Sequence, residues 1–172
     1  VKRLLFRADS DFASKHLAGM YQINWSLRAN EKGGINEPSF LNRVHAFVEW
    51  LRKHRSVTHV HSLTDILKRL NKNMHWDDPA WYRLPDKRNL AAQYLLLFEM
   101  SLPYGLDLNN QINLDKSTLR VIATTDSIST AELRRLDNEA TNWLESNLST
   151  TASTPATSAF VMFAYISDRN IK

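Results

Sequence analysis

The segment from Ser117 to Ile166 constrains the fold most, because its pattern indicates a strand, a helix and a second strand in succession. Residues 118–125 (TLRVIATT) are rich in β-branched residues, which favour strands. Ser129 and Glu132 have the spacing of a capping box, and apolar residues then recur at helical intervals. A polar connector leads to residues 160–166 (FVMFAYI), which we predict to be the second strand.

A similar unit lies near the N-terminus. Apolar and polar residues alternate from Tyr21 to Arg28, which is the pattern of a strand with one buried face and one exposed face. Residues 40–51 then carry the apolar stripe of an amphipathic helix, and we expect Asn36 to cap that helix. Residues 57–61 (VTHVH) complete the unit as a short predicted strand.

Two such units separated by an insertion are typical of a split βαβ, or ferredoxin-like, sandwich, in which two long helices cover one face of a four-stranded sheet. We therefore predict an α+β fold that forms a single domain over residues 1–172. The two units cover residues 20–62 and 117–166. A helical insertion covers residues 63–116 between them.

The same topology assigns each strand a place in the sheet. The strands that begin at Tyr21 and Thr118 are predicted to be central, and those that begin at Val57 and Phe160 are predicted to be edges. The Phe160 strand is apolar at nearly every position, and a bare apolar edge promotes aggregation. We therefore expect the insertion or a neighbouring domain to cover it. Because the first residue is Val1 rather than Met, we also expect the chain to be a segment of a longer protein.

The composition is that of an ordinary folded domain and indicates no particular chemistry. Hydrophobic residues make up 43% of the chain, charged residues 23%, and the net charge is +4. Lysines and arginines are interspersed with acids, so nothing indicates a nucleic-acid partner. The absence of cysteine excludes disulfides, thiolate metal sites and a cysteine nucleophile. We also find no glycine-rich phosphate loop and no nucleophile elbow, so no cofactor is predicted.

Two histidines offer the one pattern with metal-ligating potential. His59 and His61 alternate on a predicted strand, so both imidazoles lie on one face, as in some zinc sites. A third ligand would have to come from His45, His54 or His75. No HExxH motif and no carboxylate cluster supports such a site. Surface histidines on an edge strand are the simpler interpretation.

The carboxylates of Asp77 and Asp78 lie close to tryptophans, as in some sites that act on sugars. Adjacent residues rarely converge on one substrate, and Asp78 followed by Pro79 favours a turn or a helix cap. We therefore predict no catalytic residue here.

The aromatic segment around these carboxylates is the candidate binding site. Met74, Trp76, Trp81 and Tyr82 are suited to contacting a hydrophobic ligand or a partner. The alternative interpretation is that these side chains, together with Tyr94 and Phe98, only seal the insertion onto the sheet.

Several runs of residues together resemble a known family. The runs are Asn36–Leu41 leading to Phe47–Leu51, Val57–Asp65, Asp65–His75, Leu84–Pro85, Gln93–Gly105 and Leu108–Asn113. From about Phe12 to Lys172, the chain resembles the second large extracytoplasmic loop of a bacterial exporter of the resistance-nodulation-division (RND) superfamily, in its MMPL-like branch.

The resemblance implies a porter-like domain on the periplasmic side of the bacterial inner membrane, with residues 166–172 just before the next membrane helix. In such exporters, proton flow through acidic residues of the membrane helices drives porter domains that move hydrophobic or amphipathic substrates. Those acidic residues lie outside this segment, so it is expected to have no catalysis of its own. The implied partners are the membrane helices and other periplasmic loop of the same protein, a homo-oligomer, and a lipid-like or drug-like substrate.

Two other classes of function stay open. One is a free-standing ferredoxin-like module that binds a ligand or regulates a partner. The other is a small metal-dependent hydrolase that uses His59, His61 and Asp65.

Overall fold

The computed structural model describes residues 12, 21–103, 106–126, 128–148 and 155–170, with the backbone alone for residues 167–170. In these residues the chain is a mixed α+β protein, as predicted. The elements in order are β1 (Tyr21–Arg28), α1 (Pro38–Arg52), β2 (Val57–His61), α2 (Leu63–Met74), α3 (Arg88–Ser101), β3 (Thr118–Thr125), α4 (Thr130–Asn147) and α5 (Ala159–Asn170). Short 3₁₀ turns at Gly34–Asn36 and Pro79–Trp81 precede α1 and α3.

The sheet has three strands in the order β1-β3-β2, and both pairs of neighbours are antiparallel. The predicted central position of β3 is therefore confirmed. On the free side of β1, Thr157 forms an isolated bridge with Asn24, with N···O distances of 3.1 and 2.8 Å. Apart from that bridge, β1 is an edge of the described sheet, so its predicted central position is wrong.

The predicted strand at residues 160–166 is also wrong, because this segment lies within helix α5. The hydroxyl of Ser158 accepts a hydrogen bond from the Val161 N–H at 3.1 Å, which is the arrangement of a helix N-cap. Val161 and Ala164, one turn apart, are buried. A short run that is apolar at every position fits a helix as well as a strand, and here the cap and the burial of one side favour the helix. Residues 149–154, in the predicted connector, lie outside the described residues, as do residues 171 and 172.

The core lies on one face of the sheet. Ile23, Trp25 and Leu27 of β1 are fully buried, as their alternation predicts. The apolar stripe of α1 is buried as well: Phe40, Leu41, Val44, Phe47, Val48 and Leu51. The Phe47 ring packs edge-on against Trp25, with ring centroids 5.6 Å apart, and at a tilt against Trp143 of α4, with ring centroids 5.4 Å apart. Helices α1 and α4 therefore pack together over the same face.

The N-caps of α4 and α1 show which capping signals in the sequence predicted the helix start correctly. Ser129 and Glu132 form the predicted capping box of α4, with reciprocal hydrogen bonds of 3.2 and 3.0 Å. Asn36 does not cap α1 as predicted. It lies in the preceding 3₁₀ turn, where its amide donates to the Gly33 carbonyl, and Glu37 is the residue at the cap position.

The insertion supplies α2, α3 and a short extension of the sheet. Ser62 caps α2, because its hydroxyl accepts from the Thr64 N–H. Ile112 forms a bridge with Leu119, so the segment before β3 pairs with the part of that strand that β2 does not reach. Among the helices of the described residues, none combines the length and the apolar character that crossing a membrane requires.

Candidate functional site

The predicted aromatic residues lie in and beside the loop that follows α2, and the structure gives them different environments. We call residues 75–83 the Trp76 loop. The Trp76 side chain is 99% exposed, while Met74 and Tyr82 are about half exposed, at 50% and 47%. Trp81, in contrast, is partly buried. The four residues therefore do not form one enclosed pocket, and Trp76 projects from the surface.

A single buried side chain holds the Trp76 loop in place. Asn71 of α2 is only 2% exposed, and its amide donates to the carbonyls of Trp81 and Arg83 at 3.1 and 2.9 Å. Its carbonyl oxygen accepts from the Tyr94 hydroxyl at 3.1 Å. The first and last parts of the loop are both tied to α2, because His75 also hydrogen bonds the Asn71 backbone carbonyl at 2.7 Å. Asn71 therefore fixes the loop to the core through neutral hydrogen bonds.

Aromatic stacking adds to this support. The rings of His75 and Trp81 are stacked with their centroids 3.6 Å apart, and the guanidinium of Arg83 lies 4.6 Å from the Trp81 ring centre. Trp81 is thus part of the support of the loop. Tyr94 is buried and Phe98 is partly buried against the core, which agrees with the packing interpretation for these two residues.

Two residues at the tip of the loop, Trp76 and Asp77, have a strained backbone conformation. Trp76 and Asp77 have φ angles of +57° and +59°, in the left-handed region that is costly for residues with a side chain. The Asp77 N–H donates to the Lys72 carbonyl at 3.1 Å, which closes the turn. Asp78 caps the following 3₁₀ turn through the Ala80 N–H at 2.9 Å, as the turn interpretation predicted. The Asp78 carboxylate therefore has a structural role, and the exposed Asp77 carboxylate lies 3.9 Å from the Lys72 ammonium.

A charged cluster lies beside the loop, between α1 and α2. Asp65 pairs with Arg52 at 2.5 Å and with the nearly buried Lys68 at 3.3 Å. Burial on its own would raise the pKa of Asp65, but the hydrogen bond and charge of Arg52, helped by Lys68, hold this pKa below its ordinary value. The Lys68 ammonium also lies 5.0 Å from the Tyr82 ring centre, so the cluster reaches the edge of the loop. Sequence reasoning missed this cluster because Arg52 lies on α1 while Asp65 and Lys68 lie on α2.

The histidines are not assembled into a metal site. His59 is exposed, and His61 hydrogen bonds the side-chain carbonyl of Gln111 at 3.2 Å. Asp65 is engaged by Arg52 and Lys68, as described above. Within the described ranges, the structure contains no group of three histidine, aspartate or glutamate side chains placed to hold a metal ion.

Two helices expose apolar side chains: α3, which the sequence interpretation did not single out, and α5, whose apolar run was expected to be covered and is exposed in the described residues. On α3 these are Leu96, Leu97 and Met100. On α5 they are Phe160, Met162, Phe163, Tyr165 and Ile166. The available signal was that both segments are apolar at successive positions, so that a helix buries only part of the set. Exposed apolar surface of this kind marks places where a protein contacts other molecules.

No family model, curated protein or solved structure matches this chain. The resemblance to exporters therefore stays a prediction from the sequence, and the site is interpreted from its own geometry. That geometry offers a contact for apolar groups: an exposed indole on a fixed loop, with Met74 and Tyr82 also exposed at or next to that loop.

Proposed function

We propose that this chain is a periplasmic porter-like domain of a proton-driven RND/MMPL-type exporter, with a ferredoxin-like architecture and no catalysis of its own. Its role is to contribute contacts for hydrophobic or amphipathic substrates, or for neighbouring parts of the same transporter. The observation that carries this proposal is Trp76, an indole that is fully exposed on a loop held by a buried side chain.

The arrangement of the sheet supports the architectural part of the proposal. In a ferredoxin-like sandwich the strands are antiparallel, the first strand lies between the fourth and the third, and both helices lie on one face. The observed order β1-β3-β2 is the order of the first three strands in that fold. Thr157 lies on the side of β1 that the fourth strand would occupy. The packing of α1 and α4 through Phe47 and Trp143 gives the shared helical face.

The character of Trp76 supports the contact role. An exposed aromatic ring loses little conformational freedom on binding and gains a large apolar contact, which is why tryptophan is enriched at binding hot spots. The strained backbone at Trp76 and Asp77 does not serve to bury the indole, since the Trp76 side chain contributes nothing to the core. Strain of this kind is concentrated at functional positions.

The contact role can be tested with a fluorescent hydrophobe, N-phenyl-1-naphthylamine. We expect the chain to enhance its fluorescence and Trp76→Ala to weaken binding by about tenfold or more, with circular dichroism unchanged. Phe163→Ala is the matched control, because Phe163 is an exposed aromatic residue on α5. Equal binding by Trp76→Ala and the unaltered chain would remove Trp76 from the proposed site.

The membrane context can be tested by reading the gene on both sides of these 172 residues. Flanking stretches of about 20 predominantly apolar residues would support an exporter. A reading frame that begins at Val1 and ends at Lys172 would instead favour the free-standing ligand-binding module. Metal analysis of the purified protein separately tests the hydrolase, which requires a bound ion at His59 and His61.

A further inference from the structure

Helix α3 is apolar on two opposite sides. Its inner side packs into the core through Ala91, Tyr94 and Leu95. Its outer side exposes Leu96, Leu97 and Met100, with exposed fractions of 53%, 46% and 77%. No residue between Asn89 and Phe98 is charged, although a helix with one side in water normally carries charges on that side. The outer side of α3 therefore has the composition of a contact surface.

The outer residues form a single stripe. Asn89, Gln93, Leu96, Leu97 and Met100 are separated by intervals of four, three, one and three residues, which places them on one side of a helix. Leu96 and Leu97 lie near the middle of this stripe, and uncharged side chains lie on both sides of them: Asn89 and Gln93 towards one end and Met100 towards the other. An antiparallel copy of the same stripe would place Leu96 against Leu97 and Gln93 against Met100. The surface is therefore complementary to itself, as a two-fold symmetric contact requires.

The charges at the ends of α3 favour the same antiparallel arrangement. Lys87 is the N-cap residue, so its charge has the wrong sign for the dipole of its own helix, whereas Glu99 in the last turn is already paired with Lys116 at 2.7 Å. The first turn contains no acid and the last turn contains no basic residue. In an antiparallel pair, the Lys87 end of one copy would lie next to the C-terminal end of the other, where Asp107 is also exposed. The unfavourable charge of Lys87 on one helix thus becomes a favourable charge for its neighbour.

We propose that a second copy of this chain covers the outer side of α3, through a symmetric antiparallel contact centred between Leu96 and Leu97. The proposal does not depend on the exporter function, because it rests on the apolar stripe, its self-complementarity and the charges at its ends. It gives a specific geometry to the homo-oligomer that the resemblance implies.

Single-cysteine cross-linking tests the geometry directly, because the chain contains no cysteine. Leu97→Cys lies next to the proposed two-fold axis, so oxidation should give a covalent dimer. Asn89→Cys lies on the same stripe, but its two copies would be about 22 Å apart along an antiparallel pair, at 1.5 Å rise per residue. We therefore expect no dimer from Asn89→Cys. Cross-linking of Asn89→Cys, or its absence in Leu97→Cys, would overturn the proposed pair.

Sedimentation velocity on the cysteine-free chain tests the surface independently. We expect reversible dimers at roughly 100 µM protein and an association constant at least about tenfold lower for Met100→Glu. Met162→Glu is the control, because Met162 is an exposed methionine on α5. A monomer at that concentration would overturn the proposal, and so would dissociation by Met162→Glu alone. If the chain is monomeric, co-sediments with phosphatidylcholine vesicles and loses this binding in the Met100→Glu variant, the stripe would be assigned to lipid instead.

Discussion

The Trp76 loop and helix α5 are both surface segments, and each is held to the core by one buried polar side chain. Asn71 holds the loop and Asp137 holds the segment of α5, with exposed fractions of only 2% and 4%. Both side chains also accept a hydrogen bond from a tyrosine hydroxyl, that of Tyr94 in the first case and that of Tyr165 in the second. The two regions therefore share a design and differ in the chemistry of the anchoring group.

The difference lies in charge. The Asn71 amide is neutral and uses both of its donors on backbone carbonyls of the loop. The Asp137 carboxylate accepts from the Ala156 N–H at 3.1 Å and from the Tyr165 hydroxyl at 2.8 Å. Hydrogen bonds to a charged group are stronger, and they leave larger penalties when the group is removed. The comparison teaches that α5 depends on a charged anchoring group, whereas the loop depends on a neutral one.

The largest effect is expected at Asp137. Asp137→Ala should lower the free energy of unfolding by about 3 kcal/mol, because the Ala156 N–H and the Tyr165 hydroxyl lose a charged acceptor. Urea denaturation followed by circular dichroism measures the change. Glu145→Ala on the exposed side of the same helix is the control and should change little. Equal effects of the two substitutions would contradict the anchoring role.

Asn71→Ala should have a smaller effect, about 2 kcal/mol, because the carbonyls of Trp81 and Arg83 lose neutral hydrogen bonds. The fluorescence of Trp81 should also change as the loop separates from α2. Arg69→Ala, an exposed position on α2, serves as the control. A larger loss for Asn71→Ala than for Asp137→Ala would reverse the comparison.

Alkaline pH should test the Asp137 anchor through Tyr165. The Tyr165 ring is partly exposed, but partial burial of its hydroxyl, together with the hydrogen bond and charge of Asp137, raises the pKa of Tyr165 from 10.0 to about 12. Because the pKa is raised by folding, this contribution to stability is fully present below pH 10 and is lost as the pH rises through about 12. Tyr165→Phe should cost about 1 kcal/mol at neutral pH, and its deficit relative to the unaltered chain should shrink above pH 10. A deficit that is constant with pH would show that the hydroxyl does not titrate against Asp137.

The smallest effect is expected at the tip of the loop. Trp76→Ala should change the free energy of unfolding by less than about 0.5 kcal/mol, because the exposed ring contributes no packing. Trp81→Ala should cost about 2 kcal/mol, since its ring stacks on His75 and contacts Arg83. Denaturation of both variants under the same conditions makes the comparison. Unfolding of the domain by Trp76→Ala would place Trp76 in the core.

The elements that could be predicted from the sequence are those with strong local signals. The alternation from Tyr21 to Arg28, the β-branched run of β3 and the Ser129–Glu132 capping box each matched the structure. Residues 160–166 could not be assigned, because an apolar run without periodicity does not distinguish a strand from a helix. The Ser158 cap was the missed local signal.

The candidate site was only partly accessible to sequence reasoning. The sequence composition identified the set Met74, Trp76, Trp81 and Tyr82. It did not indicate which ring is exposed and which ring supports the loop. That division depends on Asn71, whose partners lie ten and twelve residues further along the chain. The Arg52–Asp65 pair likewise joins two elements, so neither residue signals it alone.

The fixed geometry of the Trp76 loop has a kinetic consequence. Because its backbone is ordered by hydrogen bonds formed during folding, a molecule that meets the indole finds it already positioned, and association requires little further ordering. Changes to the apolar character of the tip should then alter how long a bound molecule stays, while the rate of its arrival stays nearly constant.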